Sequence, residues 1–69
     1  SLGRSDLLFS KLYAMCDRKQ DIVDLLAMKI TNEEITTLKE RVKQMDGNPD
    51  WPMWVEICME ELLQEINDG

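Results

Sequence analysis

Apolar residues recur along this chain at spacings of three and four, the period of an α-helix. Leu8, Leu12, Met15 and Cys16 form one stripe, widened by Phe9. Ile35, Leu38, Val42 and Met45 form a second, narrow like a coiled-coil seam but only about two heptads long. Trp51, Val55, Cys58, Met59, Leu62 and Ile66 form a third, with Trp54 and Leu63 at its edges. Ile22, Val23, Leu25, Leu26 and Met28 lie between the first two stripes. The polar segment Asp17-Arg18-Lys19-Gln20-Asp21 separates them from the first. Arg4 to Asp46 contains neither glycine nor proline, and no run alternates with the period of a strand. The pattern predicts an all-α fold, a small antiparallel bundle of three to four helices. The count is four if the chain breaks between Asp17 and Asp21, which is the favoured reading, and three if the first two helices fuse.

Local signals place the boundaries. Ser5 is the expected N-cap of the first helix, with Asp6 facing the positive end of its dipole. Asp21 could cap the second. Thr31 and Glu34 have capping-box spacing: the hydroxyl accepts one free N–H, and the carboxylate reaches back to the N–H of Thr31. Ile30 and Ile35 flank that cap as a hydrophobic staple, so the third helix is expected from about Asn32. Asp46-Gly47 is expected to end it, with Gly47 in the left-handed C-cap conformation. Asn48-Pro49 then turns the chain. Asp50 is the expected N-cap of the last helix, and Pro52 falls in its first turn, where a missing N–H costs little.

With 69 residues the chain is read as one domain over 1–69, residues 1–4 being a vector-derived scar or a disordered start. No secretory signal is visible, and an intracellular location, cytoplasmic or nuclear, is expected. Cys16 and Cys58 are read as free buried thiols, a disulfide joining the first and last helices being the alternative.

The residue inventory argues against an enzyme. There is no histidine, so histidine acid–base work, Ser-His-Asp triads and histidine-ligated zinc are excluded. The three glycines are isolated, so no phosphate loop exists. Asp46, Asn48 and Asp50 match the first side-chain ligands of a calcium loop. The match fails at Trp51, where glycine is needed, and at Ile57, where the bidentate glutamate is needed. These residues read as turn and cap formers. No catalytic residue, metal ligand or cofactor is assigned.

Charge narrows the partners. The net charge is −6, and residues 51–69 carry five acids and no base. Such a surface repels phosphate, so nucleic acid is not an expected partner. Lys39 and Lys43 share a face of the third helix but are interleaved with Glu40, the pattern of a solvated surface. No apolar run approaches the roughly 20 residues that span a bilayer, and no membrane association is expected.

The last helix carries the functional reading. Met53 and Ile57 are apolar, one turn apart, and opposite its core stripe, with Trp54 at the stripe's edge. Glu56, Glu60 and Glu61 surround them. Large rigid rings and adaptable thioethers are common at protein contacts. The expectation is a non-enzymatic protein–protein interaction module, of the adaptor, regulatory or assembly kind. Its partner-binding residues would be Met53, Trp54, Glu56, Ile57, Glu60 and Glu61, and its partner a protein with a basic surface. Two alternatives stand beside it: an obligate homodimerisation domain burying Met53 and Ile57, and an acidic inhibitor filling a basic nucleic-acid-binding groove. The exposed side of the last helix is expected to be covered by a partner, a second copy, or the first helix folded across it.

Overall fold

A computed structural model describes residues 3–20 and 22–68. Four helices make up the fold: α1 (Arg4–Arg18), α2 (Ile22–Ala27), α3 (Asn32–Lys43) and α4 (Trp51–Asp68). No strand occurs among the described residues. The chain is thus all-α, with the break after α1 that the polar segment predicts. Asp21 lies outside the described residues. α1 packs against each of the other three helices, and α3 also packs against α4.

The predicted stripes converge. Leu8, Leu12, Met15 and Cys16 of α1 meet Leu25 of α2, Ile35, Leu38 and Val42 of α3, and Trp51, Val55, Cys58, Met59 and Leu62 of α4. Ile30 joins them from the α2–α3 link, so both members of the staple are in the core. No charged or polar side chain is buried with them among the described residues. The six-residue α2 buries only Leu25 fully and turns Val23 to solvent.

The capping box at Thr31 is complete. Its hydroxyl accepts from the Glu34 N–H at 3.1 Å, and Glu34 Oε1 accepts from the Thr31 N–H at 3.0 Å. At α1 the local signal misleads. The helix begins at Arg4 with extended Gly3 as its N-cap, and Ser5 lies inside the first turn. Arg4 explains the earlier start. Its guanidinium grips Glu34 and the carbonyls of Met28 and Lys29, which anchors the first helical residue from across the bundle. Gly3 and Arg4 thus form the helix entry, while Ser1 and Leu2 lie outside the described residues.

The end of α3 differs too. It closes at Lys43, before Met45, so Met45 leaves the helical seam and is half exposed. Gly47 is not left-handed, since none of the described glycines has a positive φ. No such residue is needed. The Val42 carbonyl accepts from the Met45 N–H at 3.1 Å and from the Trp51 indole N–H at 2.7 Å. The chain then turns on side chains: Asp46 Oδ1 accepts from the Asn48 N–H and Asn48 Oδ1 from the Asp50 N–H, both at 2.9 Å. Asp46 and Asn48 are turn formers, as their type predicts. The Asp50 carbonyl takes the first helical bond of α4, from Trp54 at 3.1 Å. Its carboxylate makes no capping bond among the described residues.

Left-handed residues do occur, at Lys19 and Lys29. At Lys29 the link after α2 forms a Schellman motif. Ile30 N–H bonds to Leu25 O at 3.3 Å and Lys29 N–H to Leu26 O at 3.0 Å, with Leu25 and Ile30 buried beside it. A lysine at φ 56 carries the steric cost that glycine would avoid. Lys29→Gly is expected to stabilise the domain by about 0.5 kcal/mol, after allowing for the freer unfolded chain, and to raise Tm by about 2–4 °C. Thermal unfolding followed by circular dichroism reads this directly. An unchanged or lower Tm would mean that the left-handed position is not strained.

Candidate functional site: the outer face of α4

An eighteen-residue helix offers both a buried and an outward side, and α4 uses both. Its core side is the predicted stripe. Its outer side carries Met53, 68% exposed, Ile57, 43% exposed, and Trp54, 37% exposed. α1 does not fold across this side. The three apolar residues occupy the first half of the helix. Glu60 and Glu61 follow on the same side one turn after Ile57, and Gln64 two turns after it, because each residue advances about 100° around the axis.

Trp54 is anchored at one end. Its indole N–H donates to the carbonyl of Cys16, in the last turn of α1. That carbonyl is one of the four that a helix end leaves without a helical N–H. Trp51 does the same for Val42 at the end of α3, while lying 7% exposed with its ring 5.7 Å from Tyr13. The two tryptophans are therefore unlike. Trp51 is core, as its place in the stripe predicts. Trp54 closes α1 with its polar edge and keeps part of its ring in solvent. Over that ring stands the Lys19 ammonium, 4.8 Å from the centroid, which also pairs with Glu61 at 3.2 Å.

The acids divide by their partners. Glu56 is clamped by two lysines of α3, Lys43 and, at 3.0 Å, Lys39. Those hydrogen bonds, Lys43 first, hold its carboxyl below the usual carboxylate range. Glu61 is answered by Lys19. Glu60 is exposed and has no ion pair among the described residues. Lys39 and Lys43, which share a face of α3, are thus both engaged by the chain's own Glu56. The sequence pattern had no means of revealing this clamp, since the partners lie on different helices.

Behind the surface sit the two thiols. Cys16 and Cys58 are free and buried, each within reach of the other across the α1–α4 contact. Burial, and then the neighbouring Cys58, pushes the Cys16 thiol up to about 12, so it stays protonated and unreactive at neutral pH. Two open grooves lie apart from the Met53–Ile57 strip. One, of about 500 Å³, is lined by Leu26, Lys29, Ile30, Glu65 and Ile66. The other, of about 230 Å³, is lined by Ser5, Thr31, Glu33, Glu34, Thr37 and Leu38. No helix among the described residues is long and apolar enough to cross a membrane.

Comparison with protein-family models, with curated proteins and with solved structures finds no match to this chain.

Proposed function

We propose that the domain is a non-enzymatic protein-binding module whose contact surface is the outer face of α4. The observation that carries this reading is the exposed apolar group of Met53, Trp54 and Ile57, set beside acids on an otherwise well-packed helix. Covering an aliphatic side chain of this size is worth roughly 1.5–3 kcal/mol, so two left in water beside a tryptophan are a reason to expect an occupant. A convex helix face suits a macromolecular surface better than a small molecule, which prefers a concavity. The occupant's chemistry follows from charge: apolar residues to cover Met53 and Ile57, and basic ones to meet Glu60 and its neighbours.

A second copy of the chain fits less well. Apposing two α4 helices would set the unpaired Glu60 of one copy near that of the other, and the lysines beside this face are already engaged by Glu56 and Glu61. The inhibitor reading is weakened as well. Glu56 and Glu61 are engaged by the domain's own lysines, which leaves fewer free acids to imitate phosphates.

The test is the double change Met53→Ser plus Ile57→Ser. Surface positions of this kind shift stability by about 0.5 kcal/mol or less, so the variant should unfold at nearly the wild-type urea midpoint. Peptides selected by display on the wild-type domain should be basic and amphipathic, and should bind the double variant at least tenfold more weakly. Light scattering of the wild type across a dilution series should give a monomer. A variant that unfolds at every concentration would make the pair ordinary core. A wild-type dimer that the variant dissociates would make the face a homodimer interface instead.

A further inference from the structure

Resting on the protein-binding reading of α4, the geometry points to a recognition site for a partner's cationic side chain, formed by the Trp54 ring and the Glu61 carboxylate, with Lys19 as its displaceable internal occupant. The chemistry and the geometry of the site both support this. A partly exposed indole face and a carboxylate two helix turns beyond it are the two elements that hold an ammonium or guanidinium: ring quadrupole on one side, ion pair on the other. The site already contains such a group, since the Lys19 ammonium lies 4.8 Å from the ring centroid and 3.2 Å from Glu61 Oε2. The chain itself therefore demonstrates the chemistry of the ligand.

Lys19 is, moreover, weakly held. Its side chain is 52% exposed and that of Glu61 57% exposed, a regime in which ion pairs contribute little. It projects from the left-handed residue that ends α1, past the last helical turn, so the side chain can swing away without disturbing a helical hydrogen bond. The ring stays in place when it leaves, because the indole N–H is held by the Cys16 carbonyl. A fixed aromatic floor beneath a loosely held cation is the arrangement that exchange requires. Trp54 and Glu61 also border the Met53–Ile57 strip, so an arginine or lysine one turn beyond a partner's apolar anchors would reach them. Lys19 competes with that residue, and apparent affinity falls by the fraction of time the site is occupied from within.

The experiment uses acetylated tetra-arginine amide at low ionic strength as probe, with the indole N–H cross-peaks of Trp54 and Trp51 followed by NMR. Lys19→Gly removes the ammonium and suits the left-handed backbone. Lys19→Met removes the charge and keeps the aliphatic stem. Both should bind the probe about two- to fivefold more tightly than wild type, with a saturable shift of the Trp54 cross-peak and none at Trp51. Lys29→Gly, which removes the same charge away from the site, should bind as wild type does. Adding Glu61→Gln to Lys19→Gly should abolish the gain. Equal affinity of wild type and the Lys19 variants, or an equal gain in Lys29→Gly, overturns the proposal. The two readings fail differently. Display-selected peptides that need Met53 and Ile57 but ignore Lys19 leave the docking face standing without its cation site. Peptides indifferent to Met53 and Ile57 remove the docking face itself.

Discussion

Trp51→Ala should remove most of the domain's stability. Trading a buried tryptophan for alanine costs about 3–5 kcal/mol, and a chain of this length has roughly 3–10 kcal/mol in total. Trp51 is 7% exposed, packs its ring at a tilt against Tyr13 and sends its indole N–H to the Val42 carbonyl. Alanine would open a cavity where α3, α4 and α1 meet and would loosen the end of α3. Trp51→Phe separates the two roles. It keeps a six-membered aromatic ring and loses the hydrogen bond, whose absence costs about 1 kcal/mol, together with a smaller packing loss than alanine causes. The Val42 carbonyl would still have the Met45 N–H. Urea unfolding of the three proteins decides the matter. An alanine variant within about 1 kcal/mol of wild type would show that the ring is not a keystone.

Glu34 should be the residue through which acid destabilises the fold. It closes the Thr31 capping box and pairs with Arg4 Nε at 2.8 Å. The hydrogen bond from Arg4, then that from the Thr31 backbone, holds its carboxyl down to about 2 from an ordinary 4.5. A carboxyl held lower in the folded state than in the unfolded one stabilises the fold above its unfolded value. That contribution is complete above about pH 4.5 and is lost as the pH falls toward 2. Glu56, held down by its two lysines, acts in the same direction. Glu34→Gln should flatten most of the dependence of Tm on pH in that window. Glu34→Ala should cost about 2 kcal/mol at neutral pH, a cap and an exposed ion pair together. Thr31→Ala should cost about 1 kcal/mol. Because the two caps are reciprocal, the double variant should lose less than the sum. Additive losses, or an unaltered acid profile in Glu34→Gln, would remove Glu34 from this role.

What was legible in the sequence follows from the range of each interaction. The Thr31–Glu34 box, the Ile30–Ile35 staple and the helix periods are decided within a few residues, and each is found where the pattern places it. The errors fall where a distant side chain takes over a local task. Ser5 is a good cap by type, yet Arg4 is drawn into the helix by Glu34, thirty positions away. Gly47 is a good helix terminator by type, yet Trp51 closes α3 instead. The candidate surface was half legible. Periodicity puts Met53 and Ile57 outside the core, where they are found. The pairing of Glu56 and Glu61 with lysines of other helices has no counterpart in spacing, and it leaves Glu60 as the free acid of the predicted trio.

One consequence concerns how the domain comes apart. Carbonyls at the ends of α1 and α3 are closed by Trp54 and Trp51 of α4, and those just past α2 by Arg4 of α1. These helices are not sealed by their own sequence alone. Detaching α4 would fray two of them at once, and fraying the start of α1 would loosen the exit from α2. Intermediate stages of unfolding are thereby penalised, and melting is compressed toward a single cooperative step. A partner that grips α4 therefore grips the folded whole, and its binding energy protects all four helices together.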